Sequence, residues 1–250
     1  MTQYVFGTGQ LFATPVGGGA PLKFGALQDV SIELSADIKE LYGQYQFALD
    51  TARGKTKVEW KAATGNIDAT AFNEVYFGQT VEAGDELLQV FNETGTVPAM
   101  APYNRTVANA ANFFMDQGVY FATTGLPLKQ VAATPAAGEY TVSAAGVYTF
   151  NVAQASAALL FNYMYEGANG GTLTVTNQLM GSTPKFQLVA SQLYDGKSFT
   201  IILYSAVADK LSLPLKMDDY LIAELSGSAH ADAANRVLKL STTSITGGGA

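Results

Sequence analysis

His230 is the only histidine in the chain, and it lies between Ser228 and Asp232 in "SGSAHADA". A serine, an imidazole and a carboxylate are the parts of a nucleophilic triad, in which the base must reach the nucleophile and be oriented by the acid. Here the three alternate at a spacing of two, so on an extended strand they share a face without being aimed at one another. A polar strand residue is the simpler reading of His230. Metal binding needs clustered His, Cys or carboxylates. The chain has no cysteine, and its dense carboxylates are the adjacent pairs Asp85-Glu86 and Asp218-Asp219, which read as turn residues. Glu33, Glu59 or Glu224 could supply the two facing carboxylates of a glycosidase, but nothing singles them out. "FGTGQLF" has G-x-G without a third glycine or a following helix, and Gly17 to Gly19 lack the Lys-Ser/Thr of a phosphate loop. No enzyme emerges, and neither cofactor nor metal is expected.

The composition narrows the class further. Hydrophobic residues are 48% of the 250 and aromatics 11%, which is globular rather than disordered. Charged residues are only 14%, against about 25% for an average soluble chain. A sparsely charged exterior suits a protein surrounded by neighbours, and equally a β protein rich in Ala, Ser, Thr and Gly. The net charge of −7 argues against a protein that grips nucleic acid, because phosphate contacts need clustered Lys and Arg. The opening "MTQYVFGTGQLFATP" has no basic start followed by an apolar run, so no signal peptide is expected. Apolar stretches such as "FTIILYSAVA" are too short to cross a bilayer, and a soluble protein without a membrane anchor is expected.

The elements read mainly as β. In "ALQDVSIELS" Val30, Ile32 and Leu34 alternate with Asp29, Ser31 and Glu33; in "KTKVEWKAA" Thr56, Val58, Trp60 and Ala62 alternate with Lys55, Lys57, Glu59 and Lys61. That is the period of half-buried strands. "NIDATAFNEVYFG" has helical spacing, with Asn66 or Asp68 as its cap and Gly78 as its stop. "GEYTVSAAGVYTFNV" predicts two strands around a small-residue turn and "ALLFNYMYEG" a third, together a small antiparallel meander. Asp195-Gly196, between two alternating runs, predicts a tight hairpin, and "YLIAELSGSA" and "RVLKLSTT" add two strands. Charge density divides the chain: residues 1–96 and 170–242 form a β-sandwich core, 97–169 a low-charge β-meander insertion, and 243–250 a loose tail. The expected fold is two packed antiparallel sheets, as a sandwich or barrel, with one or two short helices and the inserted lobe.

Between the first two of these strands, Ser35 to Arg53, Ile38, Leu41, Tyr42, Tyr45 and Phe47 are large and apolar, with no sustained period. One reading is a short helix over "ADIKELY", capped by Ser35, closed by Gly43 and packed on the subunit's own core. The other is an excursion covered by a second copy of the chain.

Three long phrases are similar to the tail tube proteins of long-tailed, non-contractile bacteriophages, in the expected order. Leu22 to Gly78 resembles their first half, Pro135 to Tyr165 a segment from their middle, and Thr176 to Thr242 their closing half. The resemblance implies a structural virion protein whose six copies form a ring, with one sheet of each joining a barrel around a channel. Rings stack into the tail tube, and a long loop between two early strands reaches the adjacent ring. Ser35 to Arg53 sits at that position, which makes Ile38, Leu41, Tyr42, Tyr45 and Phe47 the ring-stacking residues. An acidic lumen would let DNA slide out during ejection without specific binding, and Asp29, Glu33 and Glu59, on polar strand faces, are the candidates for it. The implied partners are further copies, the tape-measure and tail-completion proteins, and the distal tail proteins. The implied location is the virion tail, assembled in the bacterial cytoplasm. A head decoration or baseplate protein is one alternative. A carbohydrate-binding β-sandwich is another, with Trp60 and the thirteen tyrosines as stacking faces.

Overall fold

Alternation of apolar and polar residues favours strands wherever one face can be buried, and seventeen strands occur among the described residues. The computed structural model describes residues 4–66 and 68–243. The strands are β1 (Gln10–Pro15), β2 (Leu22–Phe24), β3 (Leu27–Tyr42), β4 (Ala48–Thr64), β5 (Val81–Ala83) and β6 (Leu87–Thr96). There follow β7 (Asn104–Thr106), β8 (Phe113–Phe121), β9 (Lys129–Gln130), β10 (Glu139–Val142), β11 (Val147–Phe150) and β12 (Ala158–Glu166). The last are β13 (Gly171–Leu173), β14 (Phe186–Tyr194), β15 (Lys197–Ser212), β16 (Ala223–Ala229) and β17 (Leu238–Thr242). Among the described residues the one α-helical segment, α1 (Ala69–Phe72), is one turn capped by Asp68, whose carboxylate accepts from the backbone of Thr70 and Ala71. It runs on as a wider turn, Asn73–Phe77, and stops at Gly78 in the left-handed region, φ 62°. The cap and stop match the sequence reading.

The chain divides into two units, Met1–Val81 with Leu173–Ala250, and Glu82–Thr172. The first unit is an eight-stranded antiparallel sheet in the order β2-β1-β14-β15-β16-β4-β3, with β17 paired to β15. One face of the sheet and the helix share a core that includes Leu11, Phe24, Val58, Trp60, Phe72, Phe186, Leu188, Leu203 and Leu225. The Asp195-Gly196 turn joins β14 to β15, with φ 50° and 70° as a tight hairpin of this hand requires. The final tail, from residue 244, falls outside the described residues.

The second unit differs from the expected meander. β10 and β11 do pair, but β12 leaves them for a different sheet. One sheet has the order β7-β11-β10-β9, in which β9 runs parallel to β10, and the other β6-β12-β8. The reason is length: β12 is nine residues long and finds nine- and ten-residue partners in β8 and β6, whereas β10 and β11 have four each. β6 therefore belongs to this unit, so the drop in charge at residue 97 falls inside a unit rather than at its edge. Its core is aromatic, with Tyr140, Tyr148, Phe150, Phe161 and Tyr163 all buried. Asp116 accepts from the hydroxyls of Tyr140 (2.5 Å) and Tyr148 (2.7 Å), and Glu93 accepts from that of Tyr163 (2.5 Å). Each buried phenol thus keeps an acceptor. Burial, and then the Asp116 carboxylate, push both the Tyr140 and the Tyr148 hydroxyl well above the usual phenol range.

Candidate assembly surface

Ser35 to Arg53 is neither a loop nor a helix. β3 and β4 stay paired from Leu27↔Thr64 out to Tyr42↔Ala48, so the segment is the distal half of one long hairpin turning at Gly43 to Phe47. The period is hidden because it slips: the register shifts between Ala36 and Ile38, and again between Leu41 and Tyr42 where Leu49 is the extra residue. The eight residues Ser35 to Tyr42 extend roughly 25 Å at about 3.3 Å each.

The inner half of the hairpin obeys its alternation, with Val58, Trp60, Ala62 and Thr64 buried. The outer half buries neither face. Ile38, Leu41, Tyr42, Tyr45 and Phe47 are 65, 62, 57, 72 and 84% exposed. Ile38, Glu40 and Tyr42 alternate onto one face, where the Tyr42 hydroxyl donates to the Glu40 carboxylate, a hydrogen bond that raises the hydroxyl's pKa. Leu41 lies on the opposite face with Lys39, and Tyr45 and Phe47 form the tip. The five residues therefore sheathe an arm rather than form one patch. Two further apolar residues belong with them. Leu49 is in the slipped register, and Leu34, in phase with Val30 and Ile32, is bare on the edge strand although Val58 opposite it is buried.

Asp29, Glu33 and Glu59 are exposed on the polar face of the same sheet. Glu33 lies directly opposite Glu59, a cross-strand like-charge pair that costs stability. The rows directly beside this pair carry lysine, and the one after is acidic again. Ser31, Lys61, Ser226 and Lys210 are in register one step along, Asp29, Ala63 and Glu224 on one side of them, and Ser35 with Lys57 beyond Glu33. The face thus carries rows of alternating sign, not a uniform negative field. The short side-chain ion pairs among the described residues, Lys129–Glu139, Lys216–Asp219 and Arg236–Asp232, include none of these groups.

The other sequence candidates are placed as follows. The ring nitrogen Nε2 of His230 is 2.9 Å from Ser205 Oγ, not from Ser228. Asp232 is taken by Arg236, whose backbone N–H and guanidinium hold the carboxylate below its usual range. Among the described residues no group of His and carboxylates is arranged to hold a metal ion. Trp60 is 1% exposed, its indole N–H donates to the Val207 carbonyl at 3.3 Å, and its ring meets the edge of Phe186 at 5.7 Å. It offers no stacking face to a sugar. No protein-family model matches the chain, and no curated protein matches it.

Proposed function

We propose that the chain is a self-assembling structural subunit, the tail tube protein of a long-tailed, non-contractile bacteriophage, and not an enzyme. The observation that carries this reading is the arm. A two-stranded ribbon is at best marginally stable alone in water, and this one exposes large apolar side chains on both faces and at its tip. Covering both faces requires a partner that encloses the arm. An arm projecting from one copy onto a different surface of the next is a heterologous contact, which propagates as an open filament.

In the assembled form the eight-stranded sheet folds over its core as a sandwich, and six copies close into a ring whose sheets continue into a barrel. The arms link successive rings. The face bearing Asp29, Glu33 and Glu59 lines the channel, where rows of alternating sign leave phosphate no continuous basic track to hold it. The tape-measure and tail-completion proteins, the distal tail proteins and DNA in transit are the partners, and the virion tail is the location.

Negative-stain electron microscopy over a concentration series, paired with sedimentation velocity, tests this. Hollow tubes or six-membered rings are expected. Closed trimers or pentamers would overturn the tube in favour of a decoration protein.

A further inference from the structure

The β6-β12-β8 sheet is interrupted at its centre. Its central strand carries Asn162, and the ladder slips beside it on both sides, between Phe161 and Tyr163 towards β6 and between Asn162 and Tyr163 towards β8. The Asn162 amide fills the interruption. Its Oδ1 accepts from the Asn92 backbone N–H at 2.9 Å, and its Nδ2 donates to the Gly118 carbonyl at 3.3 Å. Asn92 and Gly118 both have positive φ, 55° and 110°, which is the geometry of a bulge. Bulges re-aim side chains, and they concentrate next to functional sites.

The side chains re-aimed here line a groove of about 560 Å3. Phe91, 68% exposed, and Gln89 come to it from β6, Leu160 from the central β12, and Gln117 and Tyr120 from β8. Gln89 Nε2 donates to Gln117 Oε1, which leaves Gln89 Oε1 to accept and Gln117 Nε2 to donate. No charged side chain lines the groove. Three of the unit's charged side chains are engaged with other groups: Asp116 with Tyr140 and Tyr148, Glu93 with Tyr163, and Lys129 with Glu139.

We propose that this groove binds a neutral sugar chain. Adjacent hydroxyls of a pyranose supply the donor for Gln89 and the acceptor for Gln117, while the C–H face of the ring lies on Phe91 or Tyr120. The absence of charge disfavours nucleic acid, which needs cations, and equally strongly acidic or basic peptides. The assignment stands apart from the tube reading, since it concerns the second unit alone and uses none of the arm residues.

The test is binding of the full chain to an array of neutral and anionic glycans, followed by calorimetry with whichever neutral polysaccharide is retained, from probes such as dextran, mannan and β-1,3-glucan. Retention on neutral glycans, little changed between low and high salt, is expected. Phe91→Ala should weaken it roughly tenfold, the loss of about one aromatic contact, and Gln117→Ala by a similar factor. Both side chains are exposed, so an unchanged melting temperature certifies the fold of each variant. No retention on any neutral glycan, retention untouched by both substitutions, or retention confined to anionic glycans would overturn the assignment. A change of sedimentation coefficient in Phe91→Ala without sugar would overturn it too, by making the groove a contact between copies.

Discussion

Replacing Leu41 and Tyr42 together by Asp tests the arm most directly, because neither side chain supports the fold of its own subunit. They are 62 and 57% exposed and lie on opposite faces of the ribbon. Two side chains of this size, bare to that degree, would give up roughly 250 Å2 on being covered, worth about 6 kcal/mol at ~25 cal/mol per Å2. Association takes back part of that in lost freedom and imperfect packing, so about 3 kcal/mol is a fair net loss. That corresponds to a rise on the order of a hundredfold in the concentration needed for elongation, before the cost of desolvating two carboxylates is added. The assay is light scattering over a dilution series, with tubes counted by electron microscopy and the melting temperature measured alongside. The expected result is a folded subunit, unchanged in thermal stability, that fails to elongate where the unaltered chain does so. Single substitutions sharpen the test. If the arm is enclosed, Leu41→Asp and Tyr42→Asp each impair elongation; if one face alone is covered, only one of them does. Normal tubes from the double variant at the unaltered concentration would refute the stacking role.

Two further outcomes concern the scaffold. A Cβ on Gly227 would stand 1.9 Å from the Val207 carbonyl oxygen and 2.9 Å from Trp60 Nε1, so Gly227→Ala must displace backbone and indole together. A loss of about 3 kcal/mol is expected, read as a lower urea midpoint together with a red-shifted emission from the only tryptophan; no change in either would contradict the packing described. Asp116→Ala strands two buried hydroxyls and should cost about 2–4 kcal/mol, whereas Tyr140→Phe, which removes a donor rather than the shared acceptor, should cost less; a chemical denaturation series decides it. The same pair sets an alkaline limit. Because the folded-state pKa of Tyr140 and Tyr148 is raised, their contribution is complete below the unfolded phenol pKa near 10 and is lost as pH climbs beyond it, when only the unfolded chain ionises. Absorbance at alkaline pH should show these two ionising only with unfolding, and reversible ionisation in the folded chain would refute their burial.

Local alternation placed the strands well. The phase of Thr56, Val58, Trp60 and Ala62 against Lys55, Lys57, Glu59 and Lys61 is read directly from the residues, and all of the first set but Thr56 are buried. The same holds for the Asp68 cap, the Gly78 stop and the Asp195-Gly196 turn, because caps and tight turns depend on the dihedral preferences of one or two residues. The arm escaped detection as strand because bulges at Ala36 to Ile38 and at Leu49 break the period, and because no core imposes one-sided patterning on it. Its apolar excess was nevertheless plain, and that excess is what directs attention to an interface.

Composition and local pattern were enough to establish a mainly β chain with little charge, one or two short helices and a stretch of apolar residues in need of cover. Tertiary structure decided which strands are neighbours, since pairing depends on matching lengths and faces far apart in sequence. It sent β12 away from β10 and β11, set Glu33 against Glu59 with lysines in the rows beside them, and left Leu34 bare while Ile32 packs on the core. It also gathered Gln89, Gln117 and Asn162 from three strands around one groove. A residue's own chemistry reaches only a few neighbours along the chain; what lies across from it is fixed by the packing of the whole sheet.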